Sequence, residues 1–282
     1  MNELSLIDNS FRKEHTNACH LSVQADMHGV SFCIFDHQQK KHVAFRKYFL
    51  QTQRLMDNFV RQLEELLKTD DLLMLPYSSS VFLFLSQKST LIPDNYFDQR
   101  MLKSYLEFNH ELDALDEIHY NYLPSVDAYN VFALHTYIAS AISHHFMGVR
   151  FYHQAMPFIE RITDYSDNRQ KQIMAVNINH HFFDVAVSSS SRLKLYNTFQ
   201  YKEPTDLVYF ILYICNEFEM DPLTLELVLS GELSDMMSYR DAIREYIPGV
   251  QTLKTADNNL SEGLAKVKES NYFTLFNLVH CE

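Results

Sequence analysis

An ordered run of strand, strand, strand, helix and strand occurs twice in this chain, the second copy starting about 150 residues after the first. The first copy reads LSVQADMHGVSFCIF over residues 21–35, a polar turn HQQKK, and HVAFRKYFL over residues 42–50. Alternation with β-branched and aromatic residues predicts strands in both apolar stretches. Residues 54–68 follow with Leu55, Met56, Phe59, Val60, Leu63, Leu66 and Leu67 at helical spacing, and residues 81–85 close the unit as a strand. The second copy reads IMAVNINHHFFDVAV, the turn SSSSR and LKLYNTFQY, then a helix opening at Pro204 and running through residues 207–218, then the strand LELVL. A chain built this way is α/β, with two similar lobes, and the paired helices are expected beside the cleft between them.

Residues 1–19 are polar with few apolar positions and are expected to be a flexible N-terminus. The first lobe is expected over residues 20–166, with an inserted subdomain around residues 90–134 that contains a helix and a pair of strands turning at Pro124. A helix over residues 135–146, a short strand over 149–153 and a helical piece over 157–165 then lead to the polar stretch 166–171, the expected linker to a second lobe over residues 171–282. A further helix is expected over residues 233–246.

Three places in this layout carry polar residues that a family resemblance makes candidate ligand contacts. The turn of the first copy carries Gln24 and Asp26, and that of the second, VNINHHFFDVAV, carries Asn177, Asn179, His180, His181 and Asp184. The last strand of the second copy ends in Ser230 and Gly231, with Glu232 next. Together these places resemble the duplicated βββαβ units of the actin-like ATPase (ribonuclease H-like) fold, two lobes around a cleft. The likeness is in particular to a group of uncharacterised bacterial proteins with a domain of unknown function and that fold. A more distant one is to the cytoplasmic actin-like protein of pilus assembly, which carries an extra small domain in its first half.

The resemblance implies a cleft for ATP or ADP with Mg²⁺, and it also shows what has been replaced. Gln24 and Asn177 stand where the family places acids that direct the metal and water, and Asp26 stands at a glycine. Asn179, His180 and His181 replace loop glycines, Phe182 and Phe183 replace small hydroxyl residues, and Glu232 takes the second glycine of the adenosine motif. Glycine lets backbone N–H groups approach phosphate oxygens, and side chains as large as His and Phe fill that volume. An amide is also a poor substitute for the carboxylates that hold hydrated Mg²⁺.

Composition narrows the partners. A formal charge of −12 opposes binding to nucleic acid or anionic lipid. The four cysteines form no CxxC pair and are expected to be reduced and buried. No apolar run approaches the roughly 20 residues of a membrane span, so no membrane insertion is expected and the cytoplasm is the expected compartment. The histidine pairs 144–145 and 180–181 lack metal-protease spacing, and no metal site is expected from them. These observations favour a non-catalytic interaction or scaffold protein that binds nucleotide weakly, with an unidentified protein partner. The alternative is an active ATPase or small-molecule kinase using the displaced acids Asp26 and Asp184. A nuclease is disfavoured, because only those two acids lie near the expected strands and two-metal chemistry needs more.

Overall fold

The computed structural model describes residues 2–52, 55–169, 171–190, 192–231, 236–253 and 259–281. The first lobe opens with strands β1 (Asn2–Ile7), β2 (Cys19–Asp26), β3 (Gly29–Asp36) and β4 (Lys41–Phe49), followed by helix α1 (Met56–Thr69) and strand β5 (Ser79–Phe84). An insertion then runs through β6 (Ser89–Pro93), α2 (Leu102–Glu107), β7 (Asp116–Leu123) and β8 (Ala128–His135). Helix α3 (Thr136–His145) and strand β9 (Arg150–Tyr152) complete the lobe, and helix α4 (Ala155–Arg169) leads out of it. The second lobe contains β10 (Gln172–Ile178), β11 (Phe182–Ser189), β12 (Arg192–Gln200), α5 (Pro204–Glu217), β13 (Glu226–Gly231), α6 (Met236–Arg244) and β14 (Val250–Thr252). A short helix, α7 (Phe273–Asn277), lies near the end of the chain.

The two main sheets repeat one strand order. β4-β3-β2-β5-β9 in the first corresponds to β12-β11-β10-β13-β14 in the second, with β1 added at the outer edge of the first. In each, three antiparallel strands are followed by two that run parallel to the first of them. Residue order on the faces follows from the two-residue period of a strand. Leu21, Val23 and Ala25 point to one face of β2 and cluster with Phe59, Leu63 and Leu66 of α1. Met174, Val176 and Ile178 do the same in β10 against Leu207, Ile211 and Ile214 of α5. The expected α/β duplication is therefore present. The inserted strands form a separate three-stranded sheet, β6-β8-β7.

Helices α1 and α5 do not flank the cleft as expected. They pack on the faces of their sheets turned away from it, because the inner faces are already covered. Ala155 and Ile159 of α4, together with Leu275 and Phe276 of α7, pack on Val81 and Leu83 of the first sheet. Phe158 and Ile162 of α4 and Phe273 of α7 pack on Ala175, Ala186 and Val228 of the second. One layer of α4 and the C-terminal segment thus serves both sheets.

Three of the expected boundaries are also corrected. The flexible tail expected over residues 1–19 is not observed over the described residues 2–19, since β1 pairs with β4 over six residues, Ser5 Oγ accepts from Arg46 Nε at 3.0 Å and Asp8 Oδ2 accepts the Gly263 N–H at 2.7 Å. The stretch 166–171 is not a linker as far as Arg169. Helix α4 continues to that residue because its polar side chains find partners: Ser166 is fully buried, its hydroxyl bonded to Thr163 O and Ser188 Oγ. Residues 259–281 do not belong to the second lobe alone. His42 of β4 contacts Phe276 through its ring and its Nε2, and Tyr152 donates to Cys281 O. The helix expected over 233–246 is observed from residue 236, and residues 233–235 lie outside the described residues.

Because β1 supplies one whole edge of the first sheet, removing residues 1–8 exposes the backbone donors and acceptors of β4. A chain starting at Asn9 is expected to lose at least about 2 kcal/mol in urea unfolding and to self-associate. Unchanged stability and a monodisperse sample would refute this.

Candidate functional site

The turns β2–β3 and β10–β11 face one another across the lobe contact, and the nine predicted ligand residues fall into three groups around them. Gln24 stands alone. It lies on the inner face of β2, 5% exposed, and its Oε1 accepts from Thr274 Oγ1 of α7 at 2.6 Å.

The second group surrounds Asp184, the fully buried third residue of β11. Its Oδ1 accepts from Thr198 Oγ1 at 2.8 Å, Tyr196 OH at 2.9 Å and, at 3.5 Å, Gln154 Nε2. Its Oδ2 accepts from Asn179 Nδ2 at 3.3 Å and Asn177 Nδ2 at 3.4 Å. Burial pushes this carboxyl up from the ordinary range, and the hydrogen bonds from Thr198, Tyr196, Asn177 and Gln154 pull it back. Every partner is neutral. Asn177 is itself spoken for on its other side, where Ser230 Oγ donates to its Oδ1 at 3.0 Å. Gly231 follows at φ +119°, where a Cβ would stand 2.0 Å from Ile178 O of the neighbouring strand. Close strand pairing therefore demands this glycine. Glu232 lies outside the described residues.

The third group is where the lobes touch. Asp26 closes the two-residue turn after β2 by accepting the N–H groups of His28 and Gly29 at 2.8 and 2.9 Å. His28 then reaches the other lobe: its Nε2 lies 3.3 Å from His181 Nε2, and its ring centroid is 4.2 Å from that of His180. Burial lowers the His180 pKa, as do His28, Lys47 and His181, while Asp26 opposes them. Phe182 and Phe183 turn away from this contact into the cores, the first against α4 and the C-terminal segment and the second against α5.

The residues fit an Mg-nucleotide poorly. Asn177 uses both its polar atoms internally and Gln24 its Oε1, Asp184 accepts from five donors, and Asp26 holds its own turn. Three imidazoles occupy the gap between the turns. Among the described residues no group of three or more His, Cys, Asp or Glu is placed to hold a metal ion.

Sequence reasoning missed Thr274, Gln154 and His28. It also missed Tyr196 and Thr198, although strand pairing could have indicated them: Thr198 is the register partner of Asp184, and Tyr196 lies two residues away on the same face. Thr274 and Gln154 had no comparable signal, being brought in by elements remote in sequence.

Residues 8–250 match the model of a family described as a protein of unknown function (DUF3822). A Bacteroides thetaiotaomicron protein of actin-like ATPase fold and unknown function superposes with a TM-score of 0.84 at 20% identity, over 97% of this chain and 100% of that one. A chain of the PilM–PilN type IV pilus biogenesis complex superposes with a TM-score of 0.57 at 8% identity, over 91% and 96%. No curated protein matches the sequence. The fold is that of the actin-like ATPases.

Proposed function

Given that this chain belongs to the DUF3822 family, we propose that it is a non-catalytic interaction protein, in which the nucleotide cleft of an actin-like scaffold has been converted into a fixed contact between lobes. One observation carries the reading: the side chains at the two metal-directing positions, Gln24 and Asn177, are locked by Thr274, Ser230 and Asp184. Phosphoryl transfer depends on positioned charge, and losing one such group typically costs about 2.7–4 kcal/mol of barrier. Here both acids are replaced. The turns meet through histidine rings rather than open backbone.

The partner is proposed to be a protein. The PilM chain occurs in a complex with PilN, and its fold extends over most of this chain. The surface is acidic overall and opposes nucleic acid. Among the described residues no helix is long and apolar enough to cross a membrane, in keeping with the cytoplasmic compartment that we propose.

ATP hydrolysis by the purified protein with Mg²⁺ is expected to equal the buffer background, and Mg-ATP or Mg-ADP to shift its melting temperature by less than about 1 °C, since ligands that bind the native state raise it. Turnover that Asp26→Asn abolishes would establish the displaced-acid enzyme instead. A large shift without turnover would leave a nucleotide as a structural ligand and the scaffold reading intact in its catalytic part only.

A further inference from the structure

The two lobes differ at one edge of their sheets. β4 and β12 hold the same place in the repeated strand order, but β4 is covered by β1, whereas among the described residues no strand pairs the outer edge of β12. Burial differs accordingly. β4 is buried at every position from His42 to Tyr48, and none of the nine residues of β12 is buried.

The backbone groups on that open edge can be assigned. Tyr201 N–H donates to His181 O and Asn179 N–H to Phe182 O, which fixes the alternation along the ladder. Leu195, Asn197 and Phe199 bond to β11, and Tyr196, Thr198 and Gln200 turn their N–H and C=O groups outward. The Thr198 N–H meets the Oδ1 of its own neighbour Asn197 at 2.9 Å, a local bond that an incoming carbonyl can replace. The register is unbroken over the six residues from Leu195 to Gln200, the length over which β1 pairs with β4. Beyond it, Lys194 is the extra residue of a bulge.

Charge selects what can pair there. Residues 190–202 carry Arg192, Lys194 and Lys202 and no acid, in a chain of formal charge −12, and Arg192 and Lys194 are exposed. Edge cations and bulges discourage self-pairing. Two β12 strands side by side would bring Arg192 and Lys194 of both copies to one seam with no acid to offset them, whereas an acid-bearing strand would meet attraction. The first lobe already shows that combination in its sequences: β4 carries Lys41, Arg46 and Lys47 and no acid, and the strand laid on it, NELSLI, carries an acid and no base. At the Arg192 end a groove of about 540 Å³ lies between β12 and the insertion, with Leu91, Pro93, Pro124, Val126 and Leu193 in its lining. No lining residue belongs to the lobe contact or to the Asp184 cluster. Asp127, the acid on its wall, accepts from Tyr122 OH at 2.6 Å, so the groove suits an apolar side chain rather than a second acid.

We propose that β12 takes up an extended acidic segment of a partner protein as an added antiparallel strand, its carboxylates on Arg192 and Lys194 and an apolar side chain near its C-terminal end in the groove. Main-chain hydrogen bonds to an open edge supply affinity in such strand addition, and side-chain pockets supply selectivity. The antiparallel direction brings the C-terminal end of the segment to the start of β12, where the groove lies. This gives a surface to the protein partner proposed above and rests on that reading only in taking the partner to be a protein. ATP turnover does not enter the test, so the non-catalytic reading and this one can each fail without the other.

The test is fluorescence anisotropy of the full chain with a labelled peptide of alternating valine and glutamate ending in leucine. Comparison probes are the same peptide with lysine for glutamate, and the glutamate peptide N-methylated at every second residue, which removes its donors to the edge. The glutamate peptide is expected to bind saturably and both comparison peptides at least about tenfold more weakly. Arg192→Glu with Lys194→Glu, at two exposed positions, is expected to weaken the glutamate peptide by at least about tenfold and to reverse the preference toward lysine. Hydrogen exchange gives a direct reading, since the amides of Tyr196, Thr198 and Gln200 should become protected when the peptide binds. The proposal is overturned if the glutamate peptide does not bind up to about 1 mM, if its N-methylated form binds as tightly, or if the double variant binds it as the wild type does. A wild-type dimer with those three amides protected in the absence of peptide would make a second copy the occupant and overturn it as well.

Discussion

Asp184→Ala is expected to destabilise the protein by about 3–5 kcal/mol, the range found when a buried charged group is removed from its partners. The substitution leaves Thr198, Tyr196, Gln154, Asn177 and Asn179 facing a cavity without their common acceptor. Two of these side chains sit on β12, one at the start of α4 and two at the end of β10, so the damage reaches three elements. Urea unfolding measures it, and a loss below about 1 kcal/mol would mean that water replaces the carboxylate at little cost. The pH dependence has a defined sign. Burial raises the folded-state pKa above the ordinary carboxyl value of about 3.9, so the stability contributed by protonating Asp184 is fully present below that value and is lost as pH rises through the folded pKa. Asp184→Asn removes this titration, and the difference between wild type and Asn variant is expected to shift toward the variant as pH rises.

The second large effect is expected at Gly231. An alanine there places its Cβ 2.0 Å from Ile178 O and 2.5 Å from Ile178 N, both backbone atoms of the paired strand. No side-chain rotation relieves such a contact, and φ +119° is itself a region that L-residues avoid. Moving β13 away would break its pairing with β10 and pull Ser230 from Asn177. A cost above about 3 kcal/mol is expected, with failure to accumulate as folded protein at its upper end. Gly148→Ala is the control, since Gly148 has φ +75° but nothing within 4 Å of a Cβ. It is expected to cost only about 1 kcal/mol. Comparable losses in the two variants would show that dihedral strain, rather than the contact with Ile178, sets the cost at Gly231.

The duplication was legible because strand alternation and helical spacing are local properties, and both copies have them strongly. Leu63 and Ile211 lie on the buried stripes that the spacing indicates. What could not be read locally was which face of each sheet those helices cover. That is decided by α4 and α7, which take the inner faces with residues about 110 positions apart. The first strand was missed for a related reason: NELSLI has too few apolar residues to stand out, and it forms because β4 offers an unpaired edge. Polar Ser166 suggested a linker, whereas its hydroxyl closes onto Ser188.

At the candidate site, the residue types were readable but their use was not. Asp26, Asn177 and Asp184 are where the duplicated turns put them, yet each is engaged by neighbours that spacing does not reveal. Ser230 and Gly231 likewise stand at the strand end, and their roles there are to hold Asn177 and to admit Ile178.

The placement of α7 bears on how the chain can be made. During synthesis, residues 20–170 emerge long before Thr274 and Phe276, and until those arrive the inner face of the first sheet, with Phe45, Val81 and Leu83, has no cover from the C-terminal segment. The N-terminal half is thus a nascent species with an open apolar face. Domains generally fold in order as the ribosome releases them, and exposed apolar surface in the interval invites association. Here α7 helps to complete the first sheet, so ribosome-bound chains ending near residue 260 should bind chaperone and resist folding, and emergence of residues 261–281 should convert both lobes together.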